Sequence, residues 1–334
     1  MNRRLPLLAL IVLGMLLWPL RCPAPLVYTP GEGWTYESPG GPKWQRGRAR
    51  DQYEVAKEAF DQKQYRLAIK AARRTVARWP MSDYAGEAQY LIGRAYEARR
   101  WDEKAFKEYQ KAVEKYPKLA SFEEILERQF AIAMRFLGGQ WFKLWGVIPF
   151  FPSKEKTADM FAKIVRNGPY SKVAPQAQLA LGATREKQKD YYLAVKAYEK
   201  AADTYHDQPE IAAEALYRAG QAYLKQAKTA EYDQGAAASA IATFTDFIAL
   251  YPQDPRVETA QKTILELRTE QARGAFRIAQ FYEKRRRWDG ARVYYNEVVS
   301  KDPNSELAER ARRRLDVLRR APAAASASAP AGQP

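Results

Sequence analysis

The sequence predicts an all-α protein, a solenoid of about six helix pairs with a C-terminal capping helix. The first observation behind this prediction is an order of small and large apolar residues that spans about 34 positions. In residues 90–117, Gly93 and Ala105 are the small residues, and Tyr96 and Tyr109 are the large ones. The second observation is that this order recurs in register along the chain. One such pair of short helices cannot bury its apolar face alone, so the copies must stack.

Five clear copies are present, and they resemble the tetratricopeptide repeat. The first copy closes at Trp79-Pro80 and the second at Tyr116-Pro117, because proline cannot continue a helix. Ser82 is placed to cap the helix that follows the first closure. The apolar positions of the first, third, fourth and fifth copies are, in that order, Ala56, Phe60, Ala68 and Ala72; Leu181, Gly182, Ala194, Tyr198 and Ala201; Gly220, Tyr223, Ala240, Phe244 and Phe247; and Ala279, Tyr282, Ala291, Tyr295 and Val298.

A further, degenerate copy is predicted between Pro117 and Ala174, with helices near 122–138 and 155–167. Between these helices stands an aromatic insertion, residues 138–153, which is more apolar than a loop requires. Two interpretations stay open: a plug that fills the solenoid interior, or an exposed patch for a partner protein or the membrane interface. On the second interpretation, the docking residues of the insertion are Trp141, Trp145 and Phe150.

Residues 1–22 are predicted to be an export leader. Two arginines precede an apolar run over residues 5–20, which is short for a membrane span and typical of a secretory signal. Cys22, the only cysteine, follows directly, so we expect lipid attachment there, as in bacterial lipoproteins. An uncleaved N-terminal anchor and a misassigned start codon stay open, because Arg21 departs from the usual lipobox. All three interpretations place the repeats outside the cytoplasm and tethered to a membrane.

Two further segments flank the repeats. Residues 23–50 are rich in proline, glycine and aromatic rings, which predicts an extended arm with neither a helix nor a regular strand. Two interpretations of this arm stay open: it packs along the first repeat, or it docks a partner. Residues 321–334 are of low complexity and are predicted to be disordered. The solenoid is therefore assigned to residues 51–320.

The formal net charge of +16 favours negatively charged partners. A basic protein of this size can bind nucleic acid or an anionic surface. The basic residues are scattered over the repeats, except for the run at residues 284–287. Because the leader directs export, we expect an acidic membrane surface or an acidic protein partner, and no nucleic acid.

The residue inventory argues against catalysis. His206 is the only histidine, so the usual His-rich zinc sites cannot form. Cys22 is expected to carry the lipid and is therefore not counted as a metal ligand. No Gly-rich phosphate loop follows a strand. We therefore expect a protein with no catalytic residues, no cofactor and no metal.

One region resembles a known family in detail. From residue 251 onward the sequence predicts a helix of about thirty residues before the last turn. The residues that carry the resemblance are Asp233-Gln234, Tyr251-Pro252, Leu265, Leu267, Ile278-Ala279, Phe281-Tyr282 and Lys284-Arg285. They resemble the BamD family, lipoprotein subunits of the outer-membrane β-barrel assembly machinery. This family has five repeats where six are predicted here, and Arg286 replaces its glycine.

The resemblance implies a non-catalytic scaffold on the periplasmic face of the outer membrane. The N-terminal repeats would receive unfolded β-barrel precursors, and the C-terminal repeats would hold the periplasmic domains of a BamA-like, barrel-forming subunit. Arg285 matches the family's arginine at that contact, and Arg286 and Arg287 adjoin it in the same turn. The alternative is another membrane-tethered adaptor of the cell envelope, such as a coordinator of cell-wall synthesis and division.

A peptide-binding groove is expected on the first two repeats. Barrel precursors end in an aromatic residue with a free carboxylate, which suits a groove of rings and cations. In that groove the rings would stack, and Lys57 or Arg94 would pair with the carboxylate. The other interpretation is that the tyrosines only pack against the N-terminal arm. The expected lining residues are Tyr53, Lys57, Phe60, Tyr90, Arg94 and Glu97.

Overall fold

The computed structural model describes residues 26–29, 33–36, 44–144, 148–151, 153–229 and 234–320. Six consecutive helix pairs and one terminal helix lie within these residues, which confirms the all-α, tetratricopeptide-type fold. The pairs are α1 (Ala49–Asp61) with α2 (Tyr65–Arg78), α3 (Asp83–Ala98) with α4 (Asp102–Lys115), α5 (Phe122–Leu137) with α6 (Lys154–Asn167), α7 (Ala174–Lys187) with α8 (Tyr191–Thr204), α9 (Pro209–Thr229) with α10 (Gln234–Leu250), and α11 (Val257–Lys284) with α12 (Trp288–Lys301), followed by α13 (Glu306–Arg320).

The chain divides into two compact units. The first contains the described residues up to Ile132 together with those of the 141–151 segment, and the second contains residues 133–140 and those from 152 onward. The boundary therefore falls within α5. In the first unit, α1 to α4 each pack against the next helix along the chain. In the second unit, α6 to α13 do the same, as expected for stacked repeats whose contacts are local.

Glycines on the first helix of three pairs receive aromatic rings from the second helix. These contacts are Gly93 with Tyr109, Gly182 with Tyr198, and Gly220 with Phe244. A Cβ atom added at these glycines would stand 2.3, 2.4 and 2.7 Å from the nearest ring carbon, respectively. All three rings are buried and cannot retreat into solvent. The small and large positions of the repeat are thus explained by a close approach that only glycine allows.

Three repeats also share a polar contact that the sequence patterns did not reveal. A buried tyrosine of the second helix donates its hydroxyl to a glutamate of the first helix, and a later cation pairs with the same glutamate. These sets are Tyr109, Glu97 and Arg128; Tyr198, Glu186 and Lys225; and Tyr295, Glu283 and Arg314. The three tyrosine–glutamate bonds measure 2.7, 3.0 and 2.6 Å. Because hydrogen bonds to carboxylates are stronger than neutral ones, they fix the register between the helices of each pair.

Four of the turns within pairs place a basic residue in the left-handed region. These residues are Lys63, Arg100, Lys189 and Arg286, with φ of 61, 58, 65 and 55°. A side chain in this conformation costs roughly 1–2 kcal/mol compared with glycine. All four side chains are exposed, so the repeats present a cation at the same corner.

Several expectations about element positions are confirmed. The degenerate copy forms α5 and α6, and the long helix α11 has 28 residues. Ser82 caps α3, since its hydroxyl oxygen accepts a hydrogen bond from the backbone N–H of Tyr84 at 3.3 Å.

The expectation that the N-terminal arm contains no regular strand was wrong. Strands β1 (Leu26–Thr29) and β2 (Gly33–Tyr36) pair antiparallel. Both segments are rich in β-branched and aromatic residues, which favour strands. In a short hairpin, the backbone N–H and C=O groups of four residues on each strand can hydrogen-bond to the other strand. The prolines flank the strands and therefore do not remove ladder hydrogen bonds.

The aromatic insertion also contains a hairpin, formed by β3 (Phe142–Leu144) and β4 (Ile148–Phe151). The side chain of Phe142 is 2% exposed, whereas that of Trp141 is 51% exposed. Trp145, the side chain of Phe150, Cys22 and residues 321–334 lie outside what the structure describes. The choice between a plug and a docking patch therefore stays a prediction.

Candidate functional site: an aromatic groove and a basic turn

Within the described part of the chain, no group of three or more His, Cys, Asp or Glu side chains could hold a metal ion. None of its helices combines the length and the apolar content of a membrane span. Two surfaces match the residues singled out in the sequence. The N-terminal groove consists of Phe60, Tyr90, Arg94, Glu124 and Arg128. The C-terminal basic turn consists of residues 285–287.

The N-terminal groove is built from equivalent positions of successive repeats. Arg94 follows Phe60 by 34 residues, and Arg128 follows Arg94 by the same interval. In the same way, Glu124 follows Tyr90 at this interval. Because equivalent positions of stacked repeats lie side by side, these side chains form one continuous row on the first helices.

Arg94 contacts two aromatic rings of this row. Its guanidinium carbon is 4.8 Å from the centre of the Phe60 ring and 5.8 Å from that of Tyr90. Both distances are within the range of cation–π attraction. Among the described residues, Arg94 has no acidic partner within 4 Å. Its guanidinium is therefore held by rings and keeps its donors available for a carboxylate.

Arg128, by contrast, is fully engaged. It donates to Glu124 at 2.8 Å and to the Tyr90 hydroxyl at 3.0 Å, and it pairs with Glu97 at 3.3 Å. The hydrogen bond from Tyr90 and the pairing with Arg128 hold the pKa of Glu124 below its usual value. Burial, together with the bond to Glu124, raises the pKa of Tyr90 to about 12. This network positions the Tyr90 ring that Arg94 contacts.

The remaining predicted groove residues have different environments. Tyr53 is half-buried and packs on Tyr84, with 5.9 Å between ring centres. Lys57 is exposed and has no acidic partner among the described residues. Glu97 accepts from Tyr109 and Arg128, the same role that its equivalents have in two other repeats. This shared role favours a structural function for Glu97.

Sequence reasoning missed Arg128, Glu124 and Tyr109 as members of this site. Arg128 and Glu124 belong to the degenerate copy, whose apolar pattern is weak. Extending the 34-residue interval from Arg94 and Tyr90 identifies both positions.

The C-terminal basic turn presents three exposed arginines. The Arg286 and Arg287 backbone N–H groups donate to Glu283 and Tyr282 carbonyl oxygens at 2.9 and 3.0 Å, which fixes the turn. The Arg285 guanidinium lies 4.1 Å from the ring centre of Phe281, a ring that is 48% exposed. Among the described residues, the three arginines have no acidic partner within 4 Å. An exposed ring beside unpaired arginines is typical of a protein-docking surface.

The longer of the two family matches lies in the second unit. Residues 153–317 match the YfiO family, described as outer membrane lipoprotein. The YfiO-like region contains helices α6 to α12 and most of α13, and it includes the basic turn. Residues 87–118, which contain most of α3 and all of α4, match a tetratricopeptide repeat family. These two matches support a BamD-like tetratricopeptide protein, in agreement with the resemblance found in the sequence. No curated protein sequence matches the chain significantly.

Several solved structures resemble the chain distantly. The C-terminal part of a TPR repeat-containing protein from Cytophaga hutchinsonii is 16% identical, with a TM-score of 0.36, covering 79% of this chain and 87% of that one. A tetratricopeptide repeat protein from Parabacteroides merdae is 13% identical, with a TM-score of 0.33, covering 81% and 98%. PilW, a type IV pilus biogenesis factor, is 15% identical, with a TM-score of 0.27, covering 78% and 97%. At these TM-scores the likenesses carry no functional argument.

Proposed function

We propose that this protein is a non-catalytic, membrane-tethered scaffold of the outer-membrane β-barrel assembly machinery. The observation that carries the proposal is the match of residues 153–317 to the YfiO outer membrane lipoproteins. In this role the N-terminal groove takes the C-terminal ends of barrel precursors. The basic turn docks the periplasmic domains of the barrel-forming, BamA-like subunit.

The geometry of the N-terminal groove supports the first part of the proposal. A precursor's C-terminal residue offers an aromatic ring and a carboxylate close together. The groove offers the half-buried Phe60 ring close to Arg94, which has no acidic partner among the described residues, and the buried Tyr90 ring also contacts the guanidinium. A ring of the peptide would pack on Phe60, while its carboxylate accepts two hydrogen bonds from Arg94.

Replacing Arg94 tests the groove. A peptide with the C-terminal sequence of a barrel precursor should bind the Arg94→Gln variant about 10- to 100-fold more weakly, because a hydrogen bond to a charged group is worth about 1.5–3 kcal/mol. Fluorescence anisotropy with the labelled peptide measures this affinity. Arg66→Gln, an exposed arginine of α2, is the matched control and should bind normally.

The same peptide with an amidated C-terminus should bind wild-type protein weakly and be insensitive to Arg94→Gln, because it has no terminal carboxylate. Photo-crosslinking of the peptide should label residues of α1 and α3. Labelling confined to residues beyond 212 would contradict the assignment of the groove.

Membrane tethering through Cys22 is a separate part of the proposal. Cys22→Ser should move the protein from the membrane fraction to the soluble periplasmic fraction, because a thioether-linked lipid needs the cysteine sulfur. Fractionation and immunoblotting measure this shift, and mass spectrometry reports the lipid on the wild-type N-terminus. A variant that stays in the membrane with its leader attached would identify the leader as an uncleaved anchor.

A further inference from the structure

The YfiO-like region contains a second, unassigned groove, here called the mid-chain groove. It lies among α6, α7 and α8 and encloses about 540 Å³. This volume lies within the range of sites that hold a small ligand or a few residues of a peptide. The lining residues used below are Arg166 of α6, Leu181 of α7, and Leu193, Lys196 and Lys200 of α8.

The mid-chain groove is lined by cations and contains no acidic side chain. Arg166, Lys196 and Lys200 are exposed, and none has an acidic partner within 4 Å among the described residues. Arg185, also in the lining, is already paired with Glu155 at 2.7 Å. Three unpaired cations around one cleft create a local positive potential that selects an anionic ligand.

The floor of the groove is apolar. Val165 is 6% exposed, Leu181 is half-buried, and Leu193 is 36% exposed. The ligand must therefore offer apolar groups as well as negative charge. A planar membrane surface does not reach a floor recessed between helices, whereas an extended peptide does.

The spacing of the cations also fits an extended peptide. Lys196 and Lys200 are one helical turn apart, which separates them by about 5–6 Å. Side chains on the same side of an extended chain are about 6.6 Å apart. Two glutamates at alternate positions can therefore meet both lysines, with Arg166 facing them from α6.

Exposed tyrosines border the same groove. Tyr170 is 88% exposed and follows Pro169, whose carbonyl oxygen accepts a hydrogen bond from the Tyr205 hydroxyl at 2.9 Å. Tyr192 is 57% exposed, with the Lys196 ammonium 4.3 Å from its ring centre. Tyrosine is enriched among the residues that contribute most to binding in protein interfaces, so both side chains can add contacts to a bound peptide.

We propose that the mid-chain groove binds an extended, acidic segment of a partner protein, with carboxylates on Arg166, Lys196 and Lys200 and apolar side chains on the floor. This inference goes beyond the proposed function, since it assigns a third binding surface separate from the N-terminal groove and the basic turn. It requires neither barrel precursors nor the barrel-forming subunit.

The test uses a short fluorescent peptide with glutamates at alternate positions and leucines between them. It should bind the wild-type protein, and its affinity should fall with salt. The triple variant Arg166→Gln/Lys196→Gln/Lys200→Gln should bind at least about tenfold more weakly, since each exposed ion pair contributes a modest amount. The triple control Lys262→Gln/Arg268→Gln/Arg277→Gln removes the same charge from exposed positions of α11 and should bind within about twofold of wild type.

Three results would overturn the proposal. The first is no binding of the peptide to the wild-type protein. The second is equal weakening by both triple variants, which would identify a general charge effect. The third is undiminished peptide binding by the groove variant together with loss of binding to phosphatidylglycerol vesicles, which would assign the cations to a lipid surface. Because barrel-precursor peptides are absent from this test, its failure leaves the proposed function intact.

Discussion

Gly182→Ala should lower the free energy of unfolding by about 2 kcal/mol, a large effect for a single methyl group. The added Cβ would stand 2.4 Å from a ring carbon of Tyr198, far inside van der Waals contact. The ring cannot move away, because it is fully buried and its hydroxyl is held by Glu186 at 3.0 Å. The overlap therefore outweighs the gain of about 1 kcal/mol that alanine normally brings to a helix.

Gly274→Ala is the matched control, in α11 of the same unit. The nearest atom to its added Cβ is the Gln234 side-chain nitrogen at 3.9 Å, an ordinary contact distance. Here the helix propensity dominates, and we expect stabilisation by about 0.5–1 kcal/mol. Urea unfolding followed by circular dichroism measures both variants. A Gly182→Ala protein as stable as wild type would show that the Tyr198 ring is free to shift.

Reversing all three arginines of the basic turn, by Arg285→Glu/Arg286→Glu/Arg287→Glu, should abolish copurification of the barrel-forming subunit. Arg285→Glu alone should weaken it, because Arg286 and Arg287 can substitute in part. An acidic side chain in place of arginine repels a partner carboxylate, which costs more than the loss of a contact. The measurement is a pull-down from solubilised envelope, with circular dichroism to show that the helical content is unchanged.

Two control variants separate docking from turn geometry. Arg286→Gly removes one charge where φ is 55°, a conformation that glycine adopts readily, so it should keep the turn and most of the copurification. Lys189→Glu reverses an equivalent exposed cation in the α7–α8 turn and should leave copurification unchanged. Unchanged copurification by the triple variant would show that the basic turn is ordinary surface. Recovery of a cell-wall enzyme in place of the barrel subunit would favour the alternative envelope adaptor.

The candidate site was only partly predictable from the sequence. Phe60, Tyr90 and Arg94 were identified as outer positions of the first helix of each pair. The contact of Arg94 with Phe60 was not predictable, since it depends on how neighbouring first helices approach, whereas Tyr90 and Arg94 lie one helical turn apart on α3. Glu97 was assigned to peptide binding on its position alone, whereas the structure shows its carboxylate held by Tyr109 and Arg128.

The sequence by itself determined the class of fold, the number of helix pairs and the long helix α11. Each of these follows from local rules: helical spacing of apolar residues, prolines that end helices, and glycines opposite large rings. Tertiary structure alone decided which polar groups share a partner, as in the three tyrosine–glutamate–cation sets. It also decided that the mid-chain groove gathers unpaired cations from α6 and α8. Side chains separated along the chain meet only when helices pack, and a hydrogen bond or ion pair depends on that distance rather than on residue type.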